Sequence, residues 1–93
     1  MDFAWDPEKD ARNVRERGIG FRVAIRVFDG PRLEDWDDRE DYGEDRYRVI
    51  GMIDGRVVVV VYALEEDGTV GIISARKGTH DEAKRLGEYL TGS

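Results

Sequence analysis

Residues 57–62 read Val57-Val58-Val59-Val60-Val61-Tyr62, an unusually apolar stretch for a chain in which 39% of the residues are charged. An uninterrupted apolar run of this length, rich in β-branched residues, is typical of a strand buried on both faces of a sheet. The dipeptide Asp54-Gly55 precedes it and is a signal for a two-residue hairpin turn. We therefore expect residues 56–64 to form the central strand and residues 46–53 to form the strand before the turn.

The next strand signal ends in two cations. Residues 71–77 read Gly-Ile-Ile-Ser-Ala-Arg-Lys, which places Arg76 and Lys77 where a buried strand reaches solvent. Guanidinium and ammonium groups in such a position can hold phosphate. Because neighbouring side chains of a strand point to opposite faces, only one of the two is expected to reach a given site directly.

Helices are predicted at both ends of the chain. The pair Asp6-Pro7 is a cap followed by the preferred first helical residue, and Gly18 suits the end of that helix. Thr79 and Glu82 have the spacing of a capping box, which begins a terminal helix that should run to about Leu90.

Residues 21–28 are ambiguous between the two regular structures. Apolar residues at every second position, from Phe21 to Val27, favour a strand, whereas the spacing of Phe21, Ala24 and Phe28 favours a helix. The pattern alone slightly favours the strand. With a meander of three or four antiparallel strands and a closing helix, the fold class is α+β.

Composition limits the kinds of function. The 93 residues are enough for one domain, so residues 1–93 are expected to form a single unit. The chain has no cysteine and one histidine, so a zinc site is not expected. No basic start followed by an apolar stretch marks a signal peptide, and we expect a cytoplasmic protein.

The negative charge is concentrated in one segment. Residues 34–45 hold eight acidic residues and one basic residue, so this segment carries a charge of −7 within a chain of −6. We expect a loop here, with a short edge strand near residues 33–36. The rest of the chain is close to neutral and leaves room for a local phosphate-binding surface. The acidic residues lack the glycine and distal glutamate spacing of a calcium loop.

An ordered set of short motifs resembles the BrnT family, the ribonuclease half of the BrnT–BrnA toxin–antitoxin system. The resemblance covers almost the whole chain. Its motifs are Phe3-x-Trp5-Asp6-Pro7-x-Lys9, Asn13, Gly18-Ile19-x-Phe21, Ala24, Val27-Phe28-Asp29-x-Pro31, Glu44-Asp45-Arg46-Tyr47, Ile50-Gly51, Gly55-Arg56, Val59-Val60-Val61-Tyr62, Ile72-Ile73-Ser74-Ala75-Arg76-Lys77-x-Thr79 and Glu82.

This resemblance implies a RelE-like microbial ribonuclease fold with two N-terminal helices, in which residues 21–28 are helical. It implies RNA cleavage without a metal or other cofactor, growth arrest, and neutralisation by a DNA-binding antitoxin. Such an antitoxin would be BrnA-like and of the ribbon-helix-helix type, and the toxin could form a homodimer or a 2:2 complex with it.

The chain also departs from the family pattern. The family commonly has Lys-His-Gly where this chain has Glu16-Arg17-Gly18, and often has an arginine at the position of Gly71. Near the end, Glu-Arg-x-x-Tyr is reduced to Glu82-Ala83, with Leu86 in the tyrosine position. These departures remove groups that could serve the chemistry.

Metal-free RNA cleavage requires a base for the 2′-hydroxyl, cations for the phosphorane and an acid for the leaving 5′-oxygen. The resemblance assigns Arg46 and Arg76 to this chemistry, and Lys77 lies beside Arg76. Arg17 is a candidate phosphate contact, although a permanently charged guanidinium is a poor base. His80 is the only imidazole and a candidate for proton transfer.

Further residues are candidates for binding RNA or a partner. Lys9 and Asn13, one helical turn apart, and Arg48 are predicted to bind RNA. An alternative function is a catalytically degenerate binding protein, such as a phage-encoded inhibitor of an anti-CRISPR or nucleic-acid-mimic kind, that captures a basic partner. Its binding surface would be the acidic segment, with Asp35, Asp37, Asp38, Glu40 and Asp41.

Overall fold

A computed structural model describes residues 1–37 and 43–92. Five strands form one mixed sheet in the order β1-β5-β4-β3-β2. Within the described residues, no helix is long and apolar enough to cross a membrane. The elements in chain order are β1 (Phe3–Ala4), α1 (Pro7–Arg17), α2 (Phe21–Ala24), a 3-10 helix (Ile25–Asp29), β2 (Arg32–Trp36), β3 (Arg46–Ile53), β4 (Arg56–Leu64), β5 (Val70–Lys77) and α3 (His80–Thr91).

The predicted antiparallel meander is confirmed, with β2 to β5 as its four strands. The apolar strand β4 lies at its centre, and Asp54 and Gly55 both have positive φ in the hairpin turn that leads into it. The short β1, which was not predicted, pairs in parallel with the start of β5. The sheet is therefore mixed, but its four longer strands are antiparallel to one another.

The helix ends follow the predicted capping signals. The Asp6 carboxylate accepts a hydrogen bond from the Glu8 amide at 2.8 Å, and α1 ends at Gly18, which has φ of 73°. Thr79 and Glu82 form the complete capping box of α3. These signals are local hydrogen bonds, which is why the sequence alone predicted them.

The slight preference for a strand over residues 21–28 was wrong, and the helical alternative implied by the family resemblance is confirmed. The Phe21 amide donates to the Asp10 carboxylate at 2.8 Å, which anchors the start of α2 to α1. Phe21, Ala24 and Val27 have no exposed surface, so one side of these two short helices is fully packed. Long-range packing thus selects helix where the alternating pattern suggested a strand.

The two faces of the sheet are packed by different helices. We call the side covered by α1, α2 and the 3-10 helix the core face; its buried residues include Val49, Val60 and Ile72. We call the opposite side the α3 face, where Leu86 of α3 packs against Ile50 and Val59. Both clusters draw on β4, because its successive valines alternate between the two faces.

A β-bulge in β5 determines which side chains of that strand lie on which face. Tyr62 pairs with Ile72, but Val61 pairs with Ser74, so Ile73 is the extra residue. Beyond this bulge, Arg76 lies opposite Val59 on the α3 face, and Lys77 lies opposite a core-face residue. The two cations therefore point to opposite sides of the sheet, as alternation predicts.

Gly51 marks a place where β3 and the 3-10 helix approach closely. A Cβ atom at Gly51 would lie 3.1 Å from the Val27 Cβ and 3.3 Å from the Val27 carbonyl oxygen. Because Val27 is fully buried, Gly51→Ala should lower the free energy of unfolding by about 1–3 kcal/mol, the usual cost of overpacking. Chemical denaturation would measure this, with Gly30→Ala as the control, since a Cβ there would meet no atom within 4 Å. Equal stability of the two variants would contradict the prediction.

Candidate functional site

The sequence-predicted catalytic residues do not form one cluster. Arg46 and Arg76 lie on the α3 face, because they pair with Ala63 and Val59 of β4. Arg17 and Lys77 instead line a groove on the other side, where the end of α1 meets the β3–β4 hairpin. The candidates therefore divide between two basic surfaces on opposite sides of the sheet.

Arg76 is held by the carboxylate of Glu82. Its two terminal nitrogens approach the two Glu82 oxygens at 2.7 and 2.8 Å, which is the bidentate geometry of a strong ion pair. The Glu82 side chain is 12% exposed and also accepts a hydrogen bond from the Thr79 amide. The Arg76 guanidinium, aided by that amide, lowers the pKa of Glu82 to about 2. This carboxylate joins the end of β5 to the first turn of α3.

Two further arginines on the α3 face share one carboxylate. Asp35 of β2 accepts from Arg48 of β3 at 3.3 Å and from Arg85 of α3 at 3.0 Å. One negative charge therefore faces two positive charges, which leaves this contact with a net charge of +1. Arg46 lies two residues before Arg48 on the same strand, with its Nε 3.6 Å from a carboxylate oxygen of Glu44.

The spacing of these arginines fits a chain of phosphates better than a single phosphate. Along β4, the partners of Arg46 and Arg76 are Ala63 and Val59, which are about 13 Å apart at the normal rise of a strand. Close to the backbone, the two arginine side chains are therefore too far apart for a single phosphate to contact both. An extended ligand that carries several negative charges could cross this face and meet them in turn.

The groove on the other side contains three cations. Arg17, Arg56 and Lys77 line a cavity of about 790 Å³ and are all exposed. Neither Arg17 nor Lys77 forms an ion pair with any residue in the described ranges 1–37 and 43–92. Asp54 is the acidic residue of the lining.

Asp54 forms an ion pair with Arg26, which is not part of the groove lining. The Arg26 guanidinium donates to both Asp54 oxygens, at 2.8 and 3.2 Å. These hydrogen bonds and the charge of Arg26 lower the pKa of Asp54, and the charge of Arg56 lowers it further. The groove therefore keeps a net positive charge with its carboxylate already paired.

The predicted RNA-binding pair on α1 does not form one exposed surface. Lys9 is exposed, whereas Asn13 is 8% exposed and bonds to backbone groups inside the fold. The Asn13 amide nitrogen donates to the carbonyl oxygens of Ile19 and Ala75, and its oxygen accepts from the Ala75 amide. Asn13 thus ties α1 to β5 and presents no polar edge to a ligand. His80 is exposed as the first residue of α3, two positions before Glu82.

The acidic segment begins with a strand, and two of its described carboxylates, Asp35 and Asp37, are not exposed. The strand β2 spans Arg32–Trp36, so the short edge strand expected near residues 33–36 is confirmed. Asp35 is occupied by two arginines, and Asp37 is 4% exposed. Asp38, Glu40 and Asp41 lie outside the described residues. Neither described member of the predicted platform, Asp35 or Asp37, is therefore an exposed carboxylate, whereas Glu34, Glu44 and Asp45 are exposed.

An aromatic stack runs along the core face toward the open edge of the sheet. Trp36 contacts Tyr47 with ring centroids 5.2 Å apart, and Tyr47 stacks on Tyr62 at 5.5 Å. The Tyr62 hydroxyl donates to Glu34 at 2.6 Å. Burial and this hydrogen bond raise the pKa of Tyr62, so the phenol stays protonated and serves to fix β2 against the sheet.

The structure adds two basic residues that the sequence did not single out. Arg85 completes the contact at Asp35, and Arg56 completes the groove. Arg85 lies three residues after Glu82, so helical spacing places it near the same face as that sequence-predicted cap residue. Among the described residues, no group of three His, Asp or Glu side chains could hold a metal ion.

Comparisons with known proteins agree with this fold. A model of the family described as the ribonuclease toxin BrnT of type II toxin–antitoxin systems matches residues 5–82. The 1.1 Å crystal structure of the Brucella abortus ribonuclease toxin BrnT is similar, with a TM-score of 0.69 and 21% sequence identity over 86% of this chain and 99% of that chain. A search of the curated proteins finds no match. The family match spans most of the chain, which therefore belongs to the BrnT family of ribonuclease toxins of type II toxin–antitoxin systems.

Proposed function

We propose that this protein is an active ribonuclease toxin that cleaves RNA without a metal ion and binds the substrate on its α3 face. The observation that carries the proposal is the arrangement of Arg46, Arg48 and Arg76 on this one face, with Arg85 beside them. All three strand arginines were predicted from the sequence to act on RNA. Their spacing suits the phosphate backbone of a single strand, whose affinity depends on such contacts.

The proposed reaction is an internal transfer at phosphorus. The ribose 2′-oxygen attacks the adjacent phosphorus and loses its proton to a base, while the bond from phosphorus to the 5′-oxygen breaks and that oxygen gains a proton. The products are a 2′,3′-cyclic phosphate and a 5′-hydroxyl. We assign stabilisation of the phosphorane to Arg76 and proton transfer to His80. Arg46, Arg48 and Arg85 would hold neighbouring phosphates.

We propose an antitoxin protein as the physiological partner, since the family is defined as one half of a type II system. A DNA-binding antitoxin of the ribbon-helix-helix type would neutralise this toxin by covering the α3 face. Such a partner would need acidic groups to meet Arg48 and Arg85, which share a single carboxylate.

The test is induced expression in a bacterial host, with growth and total RNA integrity followed together. The wild type should arrest growth and degrade RNA, and Arg46→Ala/Arg76→Ala should do neither. Arg12→Ala/Arg15→Ala is the matched control, because it removes the same charge from exposed positions of α1 and should still arrest growth.

Purified protein would then be assayed on RNA in the presence of a chelator. Cleavage that persists without divalent ions and is abolished in the Arg46→Ala/Arg76→Ala variant would support the proposal. Normal growth and intact RNA at good levels of folded wild-type protein would overturn it.

A further inference from the structure

We propose that the groove of Arg17, Arg56 and Lys77 is a second phosphate-binding site, which holds a backbone phosphate of single-stranded RNA outside the α3 face. The identity of the ligand as RNA rests on the proposed function, whereas the phosphate chemistry rests on the groove itself. The site is separate from the α3 face because Lys77 and Arg76 point to opposite sides of β5.

Positive charge from distant parts of the chain converges in the groove. Arg17 ends α1, Arg56 begins β4 and Lys77 ends β5, yet all three line one cavity. Three cations around one concave surface raise the positive potential there, which favours the binding of an anion. Asp54, the acidic residue of the lining, is already paired with Arg26 and does not cancel this positive charge.

The shape and chemistry of the lining also favour a phosphate. Gly18 and Gly20 form part of one wall, and a Cβ atom at Gly18 would meet nothing within 4 Å. The space beside Gly18 is therefore open, next to the residue that carries the Arg17 guanidinium. The apolar residues Ile19, Val23 and Val57 complete the lining and lower the local polarity, so a charge contact there is stronger than in bulk water.

The two basic surfaces differ in what a ligand must displace. On the α3 face, Arg76 and Arg48 are engaged by Glu82 and Asp35, and a ligand must compete with these carboxylates. In the groove, Arg17 and Lys77 have no such competitor among the described residues. A phosphate can therefore bind there without breaking an existing ion pair.

The test uses an RNA tetranucleotide that is methylated at every 2′-oxygen and lacks terminal phosphates. This probe cannot be cleaved, so its binding is measured independently of activity. Nuclear magnetic resonance should show shifts of the Gly18 and Gly20 amides on titration. Arg17→Gln/Lys77→Gln should weaken binding about tenfold and lower the slope of log affinity against log salt by about 0.7 for each phosphate that the variant no longer neutralises.

Arg12→Gln/Arg15→Gln is the control with the same net charge and should bind like the wild type. All four positions are exposed, so folding should be unchanged. Unchanged affinity in the groove variant, or shifts confined to the α3 face, would overturn the inference. Binding of adenosine 5′-monophosphate but not of the tetranucleotide would also overturn it, since the site would then hold a terminal phosphate. Binding in the groove by a protein that proves inactive would support this site and refute only the proposed function.

Discussion

Replacing Asn13 with alanine should lower the free energy of unfolding by about 3 kcal/mol. The Asn13 side chain satisfies the amide and the carbonyl of Ala75, both within a buried contact, and also the Ile19 carbonyl. Each buried backbone group that is left without its partner costs about 1–3 kcal/mol. The effect is large because alanine can replace none of the three hydrogen bonds.

Chemical denaturation of Asn13→Ala beside Arg12→Ala would measure this effect. Arg12 is exposed on the same helix, and its replacement should change stability by less than about 0.5 kcal/mol. The sequence analysis predicted that Asn13 binds RNA. If that were its main role, its replacement would weaken RNA binding and leave the free energy of unfolding unchanged. An Asn13→Ala variant with wild-type stability and weakened RNA binding would show that the internal contacts matter less than the ligand.

Replacing Glu82 with glutamine should cost about 3 kcal/mol at pH 7 and progressively less in acid. The ion pair with Arg76 and the capping contact lower the pKa of Glu82 from an ordinary 4.5 to about 2. A carboxylate whose pKa is lower in the folded state stabilises the fold above its unfolded pKa. That contribution disappears as the pH falls from about 5 toward 2. Glutamine can still serve in a capping box, so the charge is the main difference.

The measurement is the free energy of unfolding of Glu82→Gln and the wild type at several values between pH 7 and pH 3. The difference between them should fall by more than half across this range. Glu88→Gln on the exposed side of α3 is the control and should show no such trend. A difference that is constant with pH would contradict the prediction, because it would mean that the ion pair with Arg76 does not lower the pKa of Glu82 in the folded state.

Local signals made much of the fold predictable. The caps of α1 and α3 and the Asp54-Gly55 turn are each decided by residues close in sequence, and the structure has them where expected. The central strand β4 was predictable because an unbroken apolar run has few alternatives at that length. These features depend on little beyond the residues themselves.

Long-range packing decided what local patterns could not. Residues 21–28 satisfy two periodicities, and only the contact of Phe21 with α1 and the burial of Val27 select the helix. The edge strand predicted near residues 33–36 is present as β2, but the partners of its acidic residues lie on other elements and are Arg48, Arg85 and Tyr62. Such partners cannot be identified from one sequence.

The candidate site shows the same limit. The alternation of side chains along a strand predicted that Arg76 and Lys77 point to opposite faces. It did not predict which of them shares a face with Arg46 and which lies in the groove with Arg17. The bulge at Ile73 decides this, because it reverses the parity of β5 between Ile72 and Arg76. No signal in the sequence marked that bulge.

The positions at which this chain departs from the family resemblance lie on both basic surfaces. Gly71 lies opposite Ala63 on the α3 face, and Leu86 packs into the apolar cluster on the same side. The groove instead carries Arg17, at the position where the family resemblance leads us to expect histidine. Relative to that expectation, this chain has fewer polar groups on the α3 face and a permanent charge in place of a titratable one in the groove.

The bulge also determines which changes in chain length the protein can tolerate. Because Ile73 has no partner in β4, a chain that lacked it could join Ile72 to Ser74 with every other pair intact. The arginine and the lysine would keep their sides of the sheet. With the bulge at Ile73 retained, deletion of Ala75 would instead carry the lysine to the α3 face. Among natural relatives, we therefore expect length differences in this strand to occur at position 73.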